Sequence, residues 1–174
     1  MADSISFFAE GSPATAGSKN GYPFRRKGGG LGVRMVDASG ARGKAWRKAV
    51  QTQFRMAHPS HKPFTGAVWL RVAFLLPRPK CHYGTGRNAD RLKDSAPLAH
   101  TKKPDATKLL RAVEDALSGL AYADDAQVVR QTVHKMYCDK DAAAGAYISV
   151  LAVETVSADS WFAKAVEAGR NDHQ

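Results

Sequence analysis

The sequence predicts one α/β domain, in which strands and helices share a single hydrophobic core. The chain has 174 residues, which is enough for one domain with a sizeable core and short for two. Its hydrophobic fraction of 44% is typical of a globular protein. Segments with the alternation of strands lie on both sides of a strongly amphipathic helix, so both element types are expected to pack together.

Five segments have the composition and alternation of β-strands. The strongest contains the residues AVWLRVAFLL and ends where Pro77 and Pro79 prevent further pairing. A turn at residues 138–145 separates the last two strands. The predicted strands are Ser4–Glu10, Leu31–Val36, Ala67–Leu76, Gln127–Tyr137 and Ala146–Val153.

Three segments are predicted to be helical. Lys44–Ala57 places Trp46 and Phe54 near one face, where we interpret them as core residues. In Ala106–Ser118 the apolar and polar residues separate onto two faces, with Asp105 at the N-cap and Gly119 after the last turn. The polar face of this helix carries Thr107, Lys108, Arg111, Glu114, Asp115 and Ser118. Ser157–Ala168 predicts a short helix in a C-terminal extension, residues 154–174, outside the main domain of residues 1–153.

Two basic loops are expected to bind nucleic acid. Residues 11–30 are rich in Gly, Ser and Pro, which predicts a mobile loop or arm, and they contain Arg25, Arg26 and Lys27. Residues 77–103 lack periodicity and are long for a plain connection. Basic and aromatic side chains alternate there, which suits contact with phosphates and stacking on bases. The candidates in this second loop are Lys80, His82, Tyr83, Arg87, Lys102 and Lys103. The alternative is a solvated linker.

Charge is divided unevenly along the chain. Residues 1–103 contain 19 Lys and Arg against 5 acids, and residues 104–174 contain 7 against 11, which together give the net charge of +10. This division predicts an anion-binding surface beside a cation site. The alternative is a basic protein that binds nucleic acid without chemistry.

Several classes of protein are disfavoured. No apolar run approaches the roughly 18–20 residues that cross a bilayer, and the N-terminal residues lack the pattern of a signal peptide. We therefore expect an intracellular protein that does not associate with membranes. Cys81 and Cys138 are isolated, which indicates free thiols rather than a disulfide framework or a zinc site.

Four aspartates and one arginine form the candidate catalytic site. Asp105 begins the helix, Asp115 lies on its polar face with Arg111, and Asp124 and Asp125 precede a strand. Carboxylate oxygens are the ligands that Mg²⁺ prefers, and this ion can activate water and relieve charge in phosphodiester hydrolysis. Each residue also has a purely structural alternative: a helix cap for Asp105, an i,i+4 pair for Asp115 with Arg111, and a polar turn for Asp124 and Asp125.

These residues resemble the motif of the RusA-type Holliday junction resolvases, the crossover junction endodeoxyribonucleases of bacteria and their phages. The matching pattern is Pro104-Asp105, Arg111, Asp115-Ala116-Leu117 and Asp124-Asp125-Ala126-Gln127. Residues 5–13, PRPKCHYGTGRN at 77–88 and the approach to Asp105 resemble the longer, phage-type members. The similarity covers roughly residues 5–153.

The resemblance implies catalytic roles for Asp105, Asp125 and Arg111. It implies that Mg²⁺, with Mn²⁺ as a substitute, binds Asp105 and Asp125 with help from Asp115 or Asp124. Thr107 stands where the family usually has a further Asp, and Arg111 where it usually has Lys. The resemblance also implies a mixed sheet, a homodimer, a cytoplasmic location in a bacterium or an infected host, and branched or four-way-junction DNA as substrate.

Two functions from different classes follow. The first is an Mg²⁺-dependent endodeoxyribonuclease that resolves junctions by paired nicks in recombination, repair or phage DNA processing. The second is a catalytically weak or inactive junction-binding protein on the same fold, which Thr107 favours because a neutral hydroxyl is a weaker ligand. A basic RNA-binding protein is a third interpretation.

Overall fold

The computed structural model describes residues 3–17, 19–37 and 40–153. A four-stranded sheet has the order β1-β6-β4-β5, and a separate hairpin pairs β2 with β3. The α/β prediction is confirmed, as is the mixed sheet, because β4 is parallel to β5 and antiparallel to β6. The elements are β1 (Ser4–Glu10), β2 (Lys19–Arg25), β3 (Leu31–Asp37), α1 (Gly40–Ala57), β4 (Val68–Pro77), α2 (Ala106–Leu117), β5 (Val128–Cys138) and β6 (Gly145–Ala152).

The helices cover one face of the four-stranded sheet. Along β1, β4 and β6, buried and more exposed residues alternate, as expected when one sheet face packs on a core. From α1, Trp46, Val50 and Phe54 enter this core, which confirms the interpretation of Trp46 and Phe54. From α2, the buried residues are Leu109, Leu110, Ala112, Val113, Ala116 and Leu117. The opposite face of the sheet has no helix packed on it among the described residues.

Residues 11–30 differ in part from the prediction of a loop or arm. Lys19–Arg25 is a strand that pairs with Leu31–Asp37 in register from Lys19↔Asp37 to Arg25↔Leu31. Gly21 and Pro23 obscured it, since both residue types are depleted in strands. The tight approach of the strands shows at Gly32, where an added Cβ would lie 2.9 Å from the Phe24 ring.

The loop at residues 77–103 is irregular, as predicted, but it is anchored. It contains two 3₁₀ turns, Lys80–His82 and Gly86–Asn88. Ala99 pairs with Met136 in an antiparallel bridge, and His100 N donates to Lys135 O at 3.0 Å. The end of the loop therefore covers the outer edge of β5 just before α2 begins.

The remaining predictions differ only at element boundaries or lie outside the described residues. Helix α1 begins at Gly40 rather than Lys44, and Gln127 belongs to a 3₁₀ turn rather than to β5. The helix predicted at Ser157–Ala168 and the extension 154–174 lie outside the described residues. No helix in the described ranges is long and apolar enough to cross a membrane.

Candidate active site and nucleic-acid surface

The two ends of α2 carry separate carboxylates. Asp105 precedes the first turn, and Asp115 lies ten residues later in the same helix. At 1.5 Å of rise per residue, about 15 Å separates them along the axis. Within one chain they therefore do not meet. Among the described residues, no group of three or more His, Cys, Asp or Glu side chains is placed to hold a metal ion.

Asp105 is the N-cap residue, as predicted, but its carboxylate makes no capping hydrogen bond. Only its backbone caps the helix, because its carbonyl accepts from Leu109 N at 3.1 Å. Its Oδ2 lies 3.6 Å from Lys108 Nζ, and the side chain is 55% exposed. The carboxylate is thus open to solvent and available to a ligand.

The backbone before Asp105 is fixed by a lysine from β5. Lys135 Nζ donates to the carbonyl oxygens of Lys102 and Pro104 at 2.7 and 2.6 Å. The peptide bond between Lys103 and Pro104 is cis. A charged donor that satisfies two carbonyls is a strong contact. It holds the entry of α2 against the sheet and so sets the position of Asp105.

At the other end of α2, Glu114, Asp115 and Asp125 influence one another electrostatically. Partial burial raises the pKa of Glu114, and the charges of Asp125 and Asp115 raise it further. Gln131 on β5 opposes this rise, since its Nε2 donates to Glu114 Oε1 at 2.5 Å. The sequence pattern places Glu114 on the polar face of α2 but assigns it no role at the site. The adjacent acids Glu114-Asp115 were the available signal.

Asp115 faces α1. Its Oδ2 lies 4.0 Å from Arg47 NH1 of that helix, and both side chains are about one-third exposed. The alternative of a pair between Asp115 and Arg111 is not what the structure shows. Arg111 is exposed and forms no ion pair with the described residues, although its charge lowers the pKa of Glu114.

In the turn at Asp124–Gln127, the side chains of the two adjacent aspartates make different contacts. Asp124 Oδ1 accepts from Ala126 N at 2.8 Å, and Asp124 N donates to Gln127 Oε1 at 2.8 Å, forming a capping box. Gln127 Nε2 in turn donates to the carbonyls of Phe64 and Gly66 at 2.9 and 2.8 Å. Asp124 thus has a structural role in this turn, while Asp125 is exposed.

Tyr122 fixes the segment that leads from α2 to Asp125. It is fully buried, and its hydroxyl donates to Glu114 O at 3.3 Å. Gly119 has a φ of +76°, and its N donates to Tyr122 O at 2.8 Å, so the chain reverses tightly after the helix. Burial, followed by the nearby acids, raises the pKa of Tyr122. The hydroxyl therefore remains a neutral donor.

The loop at 77–103 is held to β5 around Tyr137. Arg78 lies over the Tyr137 ring at 4.9 Å, and the rings of His82 and His100 contact it at 4.9 and 4.7 Å. The pKa of His82 is lowered by desolvation and then by Arg78, Lys102 and Lys93. His82 therefore holds this loop against Tyr137 of β5 and lies close to several positive charges.

The remaining predicted DNA-binding residues occupy two regions. Lys80 and Tyr83 line a cleft of about 540 Å³ between this loop and the β5–β6 turn, where Lys140 pairs with Asp90. Arg87, Lys102 and Lys103 are exposed elsewhere in the same loop. Arg25, Arg26 and Lys27 are exposed at the tip of the β2–β3 hairpin. Residues 11–36 contain no acid.

Comparison with known proteins matches most of the described domain to one family. A model of the family described as Endodeoxyribonuclease RusA matches residues 15–150. The chain is also 30% identical over 141 residues to a protein of Bacillus subtilis (strain 168) described as "Uncharacterized protein YqaN", covering 79% of this chain and 91% of that protein.

Proposed function

The chain belongs to the RusA endodeoxyribonuclease family, and on that basis we propose that it cleaves branched DNA, including four-way junctions, with Mg²⁺ as cofactor. One observation supports the proposal: exposed Asp105 precedes the first turn of α2, exposed Arg111 lies on the polar face of this helix, and exposed Asp125 lies near Glu114 at its far end. Phosphodiester hydrolysis needs both anionic metal ligands and a cation for the phosphate.

The oxygen donors fit magnesium chemically. This ion is commonly held by one or two carboxylates together with water and substrate phosphates, so a cage of three protein acids is not required. Within one chain, Asp105 and Asp125 would each offer a carboxylate at their own end of α2, with Glu114 and Asp115 adding negative charge near Asp125. When bound, the ion activates a water and relieves charge on the phosphate.

The protein's own side chains position the DNA. Arg111 offers a planar guanidinium to the scissile phosphate, and neither Asp105 nor Asp115 lies in an ion pair with it. The loop at 77–103 and the hairpin tip would hold the backbone of the arms through Lys102, Lys103, Arg25, Arg26 and Lys27. Two copies related by a two-fold axis would nick both like strands of a junction.

The proposal is tested with Asp105→Asn and Asp125→Asn on a labelled four-way junction. We expect both variants to lose Mg²⁺-dependent cleavage by 100-fold or more and to bind the junction in chelator within threefold of the unaltered protein. Asp141→Asn, an exposed acid in the β5–β6 turn, is the matched control and should cut normally. Cleavage at near normal rate by the Asp105 variant would show that the assignment of that residue is wrong.

A junction-binding protein without nuclease activity is the second candidate. It is favoured by Thr107, because a neutral hydroxyl is a weaker metal ligand than a carboxylate. This function predicts tight, salt-sensitive binding of junctions and no product with Mg²⁺ or Mn²⁺. One gel with labelled junction, duplex and single-stranded DNA, each with metal or with chelator, separates the two candidates. A basic RNA-binding protein would show no preference for the junction over the single strand.

A further inference from the structure

The face of the four-stranded sheet opposite the helices presents ordered rows of side chains. Strand register places Ser6, Ser149, Arg71 and Thr132 in one row across the sheet. The next row toward the β5–β6 turn contains Phe8, Tyr147, Ala73 and His134. We propose that this face binds single-stranded DNA, with guanidiniums on phosphates and an aromatic ring on a base.

Two arginines on this face are held in place by an indole. Arg130 lies over the Trp69 ring at 3.8 Å, and Arg71 lies 5.0 Å from the same centroid. Trp69 is itself oriented, since its Nε1 donates to Thr132 Oγ1 at 3.0 Å. A guanidinium stacked on a ring keeps its N–H donors free, because they lie in the plane of the guanidinium itself. Since the side chain is already ordered, less conformational entropy is lost when a ligand binds.

These guanidiniums lack acidic partners. Within the described residues, neither Arg71 nor Arg130 forms an ion pair. The carboxylate that the described strands place on this face is Glu10, which pairs in register with Gly145 and lies at the corner diagonal to Arg130. An exposed positive patch without internal neutralisation is complementary to phosphate.

An exposed aromatic ring lies diagonal to Arg71. Tyr147 is 58% exposed, and its ring contacts Phe8 at 4.7 Å on one side. Across the strand pair it faces Ala73, whose small side chain leaves the ring accessible. Diagonal neighbours on one sheet face lie roughly 7–8 Å apart. A base stacked on Tyr147 would therefore place its flanking phosphates near the guanidiniums.

The geometry favours a single strand over the other occupants. A broad sheet face does not enter a duplex groove, whereas aromatic residues on an open sheet stack unpaired bases. A second copy packed on this face would remove Arg71 and Arg130 of both chains from water, while the described strands of each chain supply the face with one carboxylate, Glu10, which is unfavourable for charges left unpaired. The choice of DNA over RNA rests on the proposed function, since branch points expose unpaired nucleotides.

The test measures the anisotropy of a labelled 12-nucleotide oligothymidylate in chelator, so that no cleavage is needed. We expect Arg71→Ala, Arg130→Ala and Tyr147→Ala each to weaken binding about tenfold. Each arginine variant should also reduce the slope of log K against log salt by about 0.7. Arg55→Ala, an exposed arginine on α1, is the matched control and should change affinity less than twofold. Arg130→Lys keeps the charge and should recover part of the affinity.

Three outcomes would overturn the proposal. The first is unchanged affinity in all three variants with native circular dichroism. The second is an equal loss in Arg55→Ala, which would indicate unspecific charge attraction. The third is a sedimentation shift from dimer to monomer in the Tyr147 variant, which would make this face a subunit interface. Failure of the nuclease proposal is distinguishable, because Asp105→Asn would leave oligothymidylate binding intact whether or not the protein cuts junctions.

Discussion

Gln131 on β5 donates from Nε2 to Glu114 Oε1 on α2 at 2.5 Å, which joins the acidic end of the helix to the edge strand of the sheet. The contact satisfies a carboxylate whose pKa is raised mainly by burial. Burial therefore favours the neutral acid, while the bond donated by Gln131 favours the ionised carboxylate. The position of Glu114 next to Asp125 makes its charge relevant to any cation bound there.

Glu114→Gln should reduce the pH dependence of stability. Because the folded pKa of Glu114 lies above its ordinary value of 4.5, its contribution to stability is complete below that value and is lost as pH rises through the folded pKa. The variant should equal the unaltered protein near pH 4 and exceed it at pH 7 by less than about 1 kcal/mol, since the group is half exposed. Urea denaturation across this range measures the difference. A variant less stable at pH 7 would contradict the assigned direction.

Gln127→Ala should destabilise the domain. The change removes two donated bonds to the carbonyls of Phe64 and Gly66 and the acceptor for Asp124 N. Two of these bonds are exposed, and Phe64 O keeps the bond from Ala123 N, so the cost should be that of ordinary hydrogen bonds, about 0.5–1.5 kcal/mol in total, and urea midpoints should fall accordingly. Thr52→Ala on the exposed side of α1 is the control and should change stability by less than about 0.5 kcal/mol. An equal loss of stability in both variants would show that the hydrogen bonds of Gln127 do not stabilise the domain.

Arg111→Ala should impair cleavage without impairing binding. If Arg111 stabilises charge on the scissile phosphate, its loss should lower the single-turnover rate by about 100-fold or more. Arg111→Lys keeps the positive charge and should retain much of the rate, although its geometry differs. Junction affinity measured in chelator should change less than threefold in both. A parallel loss of affinity and rate in Arg111→Ala would instead make Arg111 a general DNA contact.

The hairpin tip should contribute to salt-dependent binding. Removing the charges of Arg25, Arg26 and Lys27 together should make the slope of log K against log salt shallower by roughly 2–3 for duplex arms, because each phosphate contact contributes about 0.9. The triple substitution of Lys44, Lys48 and Arg55, which are exposed on α1, removes the same charge and is the control. Equal changes in both triple variants would show that total charge, not the hairpin, determines the slope.

The sequence predicted those parts of the fold that local patterns determine. The segregated faces of α2 and the alternation in β4 are local properties, and both elements occur within a residue or two of the predicted limits. The strand Lys19–Arg25 was missed because Gly21 and Pro23 interrupt its pattern, although Tyr22 and Phe24 alternate as expected. Pairing with Leu31–Asp37 stabilises the strand across this interruption.

The candidate site was less predictable because its contacts depend on packing between distant elements. The motif identified Asp105, Arg111 and Asp125, whose catalytic roles stay predictions. The contact of Asp115 with Arg47 requires the packing of α1 on α2, and the bond from Gln131 to Glu114 requires β5 beside α2. The separation of Asp105 from Asp115 follows from helix rise alone, so it was available from the sequence once the helix had been placed.

The pairing of β1 with β6 has a consequence for synthesis of the protein in the cell. Ser4 lies opposite Leu151, so β1 cannot pair until a strand nearly 150 residues further along the chain has been made. Contacts of such separation slow folding and leave early segments exposed to aggregation or proteolysis. Nascent chains stalled before Gly145 cannot complete the four-stranded sheet, because β6 lies between β1 and β4.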